Sequence, residues 1–178
     1  MAQATLTAAT PLTLGAMAGI FCERSGVFNI AIEGMMLSGA FVGVAFASLF
    51  DSLWMGLLGA ALVGGLMAAL HAVLSIKYKV DQIISGTVIN ILAAGATRFL
   101  NVRLADPLGI STPGKFDPIA IPVLSKIPVL GPILFNQQPT VYLMLILLAV
   151  VQFAIFSTPW GLRLRACVIR RGARRGRG

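Results

Sequence analysis

Asn29 and Glu33 are the side chains in this sequence best placed for polar work inside an apolar setting. They stand four residues apart, which stacks them on one face of a helix. Around them, Cys22 to Gly43 is otherwise apolar enough to enter a bilayer. A carboxylate near the bilayer centre costs at least ~2.5–3.5 kcal/mol on insertion scales, so Glu33 is expected to face a bundle interior or a solute path. Two roles stay open for it: lining or supporting such a path, or accepting hydrogen bonds purely for assembly. Gly26 and Gly34 bracket the pair and are expected to interrupt the helix. Unwound backbone is tolerated at membrane depth where it is buried in protein or lines a watery route.

A second polar stripe runs Asp81-Gln-Ile-Ile-Ser-Gly-Thr-Val-Ile-Asn90. Asp81 suits a helix N-terminus electrostatically. Ser85 and Thr87 are expected to satisfy carbonyls of their own helix, which leaves Asn90, near mid-span, as a solute-contact candidate. His71, the single histidine, reads as a helix-packing hydrogen bond rather than a proton relay. The sequence contains no Ser-His-acid arrangement, no Cys and His cluster for a metal and no Gly-Lys-Ser phosphate loop. Catalytic residues, metal ligands and cofactors are therefore not expected.

The elements that carry these residues are membrane spans. Of the 178 residues, 57% are hydrophobic and only 11% charged, and mean hydropathy is +0.89, against roughly 25% charged in an average soluble domain. Apolar runs near the ~20 residues a bilayer crossing takes fall at about 4–21, 28–50, 53–76, 83–100 and 140–156. The expected fold is all-α: a polytopic transmembrane bundle of about five spans, with a helix broken near Gly26 to Gly34. Glycines at Gly15 and Gly19, and at Gly39 and Gly43, with Gly59, Gly64 and Gly65 in the third span, have the spacing of helix-packing faces.

Lys77, Lys79 and the basic C-terminal end belong on the cytoplasmic side by the positive-inside bias. That orientation puts the N-terminus outside and a loop of about 101–138 on the external face. Seven of the nine prolines lie between Pro107 and Pro139, a density that prevents a continuous helix. The loop's Ile, Val and Leu patches predict a segment packed on the outer surface rather than a free connector. Cys22 and Cys167 fall on the cytoplasmic side, so no disulfide is expected. The N-terminus lacks the basic region of a cleavable signal peptide, and the first helix itself is expected to direct insertion.

Glu23-Arg-Ser-Gly-Val-Phe-Asn-Ile-Ala-Ile-Glu-Gly-Met-Met36 with Ser38-Gly-Ala-Phe41 resembles the signature of permease subunits of ABC importers for nucleosides and simple sugars, relatives of branched-chain amino-acid permeases. Pro159-Trp-Gly-Leu-Arg-Leu-Arg-Ala166 resembles a later cytoplasmic segment of the same group. The resemblance implies a multi-pass plasma-membrane protein of a prokaryote. It would work by alternating access with a separate ABC ATPase subunit, a second permease subunit and an extracytoplasmic solute-binding protein. It places the Asn29–Glu33 motif in the permease core near the translocation route. By residue type, Phe28, Phe41 or Phe99 would be the ring-stacking residues for a nucleobase, although aromatic side chains are ordinary in membrane helices. Alternatives from the same residues are a branched-chain amino-acid permease, a membrane assembly protein that transports nothing, and an inactive fragment.

The resemblance is seen to about Ala166, so residues 1–166 read as the N-terminal part of a permease transmembrane domain. Residues 167–178 form an Arg/Gly tail without an amphipathic face. This end holds most of the excess charge: seven of fourteen basic residues lie from Arg163 onward, against six acidic residues in the whole chain and a net charge of +8. The balance is local and does not describe a nucleic-acid footprint. The tail is expected to be a frameshifted or truncated end; a basic tail on anionic membrane lipid is the rival reading.

Overall fold

A computed structural model describes residues 2–104, 107, 109–110, 114–120, 136–159 and 161–162. It is built from helices: α1 (Ala2–Ser25), α2 (Ile32–Leu49), α3 (Leu53–Ala72), α4 (Gln82–Leu104) and α5 (Pro139–Ser157). Each is long and apolar enough to cross a membrane. The only extended pairing among the described residues is β1 (Ile119–Ala120) against β2 (Asn136–Gln137), antiparallel with Ile119 opposite Gln137. The fold is all-α. Two compact units divide it, one holding α1, the β pair and α5, the other running from Val27 to Lys115 and holding α2, α3 and α4.

In the first unit, α1 and α5 border an open cleft of about 340 Å³, walled by Met17, Ile20, Leu148 and Ile155, with Glu23 and Arg24 at its polar end. Gly15 and Gly19 are half-buried on α1 and do not line this cleft. Pro139 opens α5 at a position where its missing N–H costs nothing.

In the second unit, α2 and α3 run antiparallel and approach closely through small residues. A Cβ on Gly39 or Gly43 would meet Ala60, and one on Gly56 would stand 2.6 Å from the Gly43 carbonyl oxygen and 2.8 Å from Ala47 Cβ. Gly59 is filled by the Phe46 ring. Gly64 and Gly65 do not take part in this contact: nothing among the described residues lies within 4 Å of a Cβ at either.

The turns follow from specific residues. Asp51, with φ +47°, takes the left-handed position after α2 that glycine usually fills, and the Ser52 N–H reaches back to the Ala47 carbonyl at 3.1 Å. After α3 the backbone widens into a π turn over Val73–Lys77, closed by Tyr78 N–H to Val73 O at 3.2 Å and by Lys79 at φ +53°. Asp81 then caps α4, its Oδ1 accepting the Ile83 N–H at 2.8 Å. α4 continues through Leu104, four residues into the loop expected from 101. Residues 121–135, most of that loop's apolar patches, and the tail 167–178 lie outside the described residues.

Polarity is distributed as a bilayer demands. Leu58, Leu62 and Leu66 form an exposed apolar stripe on α3, while Ser38, His71 and Ser85 are buried. Lys77 sits over the Tyr78 ring and Arg103 over the Phe99 ring, each at 5.8 Å, aromatic and basic pairs of the kind that anchor helix ends at the interface.

Candidate functional site

Residues 26–31, where a broken helix is expected, form the non-helical connection between two separate helices, α1 and α2. α1 ends at Ser25, Gly26 turns the chain with φ +79°, and its N–H bonds the Glu23 carbonyl at 3.0 Å. Non-helical backbone then runs to Ala31. Gly34 is not a second interruption; it is buried inside α2.

Within the second unit, α4 follows this non-helical backbone side chain by side chain. The Phe28 N–H donates to Gln82 Oε1 at 2.5 Å. One turn on, Gly86 leaves room for the backbone: a Cβ there would stand 3.0 Å from Ile30 Cβ and 3.1 Å from the Ala31 nitrogen. Another turn on, the Asn90 amide bridges two peptide groups, Nδ2 donating to the Ile30 carbonyl at 3.0 Å and Oδ1 accepting the Gly34 N–H at 2.8 Å. Gln82, Gly86 and Asn90 recur every four residues and so share one face of α4. Asn90 stands about 12 Å along the axis from Gln82 at 1.5 Å per residue, which carries the start of α2 well inside the level where α4 begins.

The Gly34 bond has a further meaning for α2. Its N-cap residue is Ala31, which has no side chain able to cap. Counting from Ala31, Gly34 is the third helical residue, whose N–H an N-cap Ser or Asp would normally take. Asn90 supplies that acceptor from another helix.

Asn29 turns back on its own segment. Its Oδ1 accepts the Ala31 N–H at 3.0 Å, an Asx turn, and its Nδ2 lies 3.8 Å from Met35 Sδ. Glu33 occupies the first turn of α2, where a negative charge suits the helix dipole. Its side chain is exposed rather than buried. Phe28, five residues earlier, is exposed, Phe41 is half-buried, and Phe99 is engaged with Arg103.

Ser85 does not bond its own helix as expected; it meets His71 Nδ1 at 3.0 Å and ties α3 to α4. Thr87 does bond its own helix, donating to the Ile83 carbonyl at 2.9 Å. His71 Nε2 and Ser38 Oγ are buried without a hydrogen-bond partner among the described residues. Gln82 and Gly86 were missed as site residues, although their spacing with Asn90 was legible. The arrangement orders peptide groups and displays one carboxylate; among the described residues no group of three His, Cys, Asp or Glu side chains is placed to hold a metal.

The chain belongs to the family described as branched-chain amino acid transport system / permease component, matched over residues 1–177. That match runs past Ala166 through most of the tail. The chain is 42% identical over 172 residues to a guanosine ABC transporter permease protein of Bacillus subtilis, covering 92% of this chain and 54% of the relative. It is 37% identical over 164 residues to a nucleoside ABC transporter permease protein of Lactococcus lactis, covering 88% and 52%. A putative glucose ABC transporter permease protein of Haloferax volcanii is 34% identical over 164 residues, covering 92% and 50%. The chain thus spans about half the length of the curated relatives it matches. No solved structure matches. This is a multi-pass protein of the plasma membrane.

Proposed function

We propose that the chain forms the permease subunit, or the N-terminal part of one, of an ABC-type importer that moves a nucleoside or simple sugar across the plasma membrane. Hydrolysis of ATP belongs to a separate ATPase subunit, and the solute arrives from an extracytoplasmic binding protein and passes a second permease subunit as well. The chain itself is a transport subunit and not an enzyme. The observation that carries the reading is the non-helical backbone of residues 26–31 held along α4, the kind of discontinuity at which importers handle solute. Asn29 and Glu33 border the route. The N-terminus faces out, and the segment between α4 and α5 is external.

Uptake in vesicles tests this. In a complete permease carrying this segment, assembled with its partners, Glu33→Ala lowers labelled guanosine uptake per complex, and Glu33→Gln, which keeps hydrogen bonding, lowers it less. Variants that only fail to accumulate in the membrane would make Glu33 an assembly residue. The family's own description favours one second reading, branched-chain amino acids as cargo; ligand screening of the partner binding protein separates the two.

A further inference from the structure

We infer that Asn90 is a positioning residue: it sets the place of the Asn29–Glu33 segment by capping α2 from α4, and it does not contact the solute. The inference rests on the proposed transport reading for its effect on uptake, and on geometry alone for the cap. The two bonds of Asn90 come from the two ends of one rigid amide plane. Turning the amide toward a solute breaks both together: the part-buried Gly34 N–H loses its acceptor and the exposed Ile30 carbonyl its donor, the cost resting chiefly on Gly34, where an unmade hydrogen bond is shielded from water. Space points the same way. A Cβ on Gly34 would lie 2.8 Å from Asn90 Oδ1, 3.0 Å from Asn90 Cα and 3.1 Å from Ala93 Cβ. The α2 backbone therefore lies directly against the amide and restricts its rotation.

Gln82 and Gly86 extend the same function along the segment. Gln82 fixes the Phe28 peptide, and Gly86 admits Ile30 and Ala31 where any side chain would push them off α4. All three α4 residues touch backbone of the segment, so they set its path whatever side chains it presents. Glu33, the adjacent exposed carboxylate, takes its position from the capped turn.

The test combines amide exchange with uptake in a complete permease carrying this segment, reconstituted in nanodiscs and vesicles, with labelled guanosine and 2′-deoxyguanosine as probes. Asn90→Leu removes both bonds: Gly34 amide exchange rises about tenfold, the factor for a lost cap. Uptake per assembled complex falls for both probes while their ratio stays constant. Asn90→Asp keeps an acceptor for Gly34, so the amide stays protected and uptake is partly recovered; this variant decides the case if Asn90→Leu does not accumulate. A changed ratio between the two probes would mean direct solute contact and overturn the inference, as would unchanged Gly34 exchange in Asn90→Leu or loss of protection in Asn90→Asp. If the unsubstituted complex carries neither probe, the transport reading fails, and the exchange measurement still decides the cap.

Discussion

Asn90 Oδ1 accepts the Gly34 N–H at 2.8 Å across 56 residues of sequence, so the first turn of α2 is completed by a side chain of α4. α2, whose own N-cap residue Ala31 offers no side-chain acceptor, is thereby joined to α4 where the chain enters helical geometry. The consequences can be measured at several positions.

Gly34→Ala should be destabilising although alanine is the better helix former by about 1 kcal/mol. Its methyl would press on Asn90 Oδ1 and on the Asn90 backbone, and overpacking of this kind costs about 1–3 kcal/mol. Gly64→Ala, which meets open space, is the control and should be neutral or stabilising. Thermal unfolding of both variants in the same detergent checks the difference; equal midpoints would remove the close α2–α4 approach.

Gly56→Ala should separate α2 from α3. The added methyl meets the Gly43 carbonyl and Ala47, neither of which can yield as a flexible side-chain tip would. A double-cysteine pair across the two helices should cross-link less in this variant than in the unsubstituted protein.

Asp51→Gly should stabilise by up to about 1 kcal/mol, because the position is left-handed and a Cβ there carries a steric penalty. The melting midpoint should rise. A fall would mean that the Asp51 carboxylate contributes more than the strain it imposes.

His71→Leu leaves the Ser85 hydroxyl buried without its partner and should cost about 1–3 kcal/mol. The double variant His71→Leu with Ser85→Ala removes both ends and should recover part of that loss. Additive losses in the cycle would show that the two side chains do not interact.

The spans were legible in sequence because transfer of apolar surface is a local property: runs of about 20 residues announce themselves without reference to any partner. Asp81 was legible for a similar reason, since a cap acts within its own turn. The break near Gly26 showed in the glycine and the polar residues after it, but Gly34 was misread as its far edge. Its small size serves contact with Asn90, a long-range cause that helix propensity does not register. The same limit applies to Asn90 and Ser85. An amide or hydroxyl in a span is equally compatible with solute, its own helix or a neighbouring one, and only the packing of α4 against residues 28–34 and against His71 decides. Glu33 looked buried because the apolar run around it suggested mid-span; the non-helical segment instead places it at the start of α2, exposed.

The measurement that reaches the central claim most directly is solute protection along residues 27–34. In a complete permease freed of its native cysteines, Phe28→Cys, Glu33→Cys and Met36→Cys are treated with a membrane-impermeant thiol reagent applied from either side during turnover. The proposed route predicts that Glu33→Cys is labelled and that guanosine slows its labelling severalfold more than that of Met36→Cys. No labelling of Glu33→Cys from either side, or labelling that guanosine leaves unchanged while uptake proceeds, would contradict a solute path beside this segment.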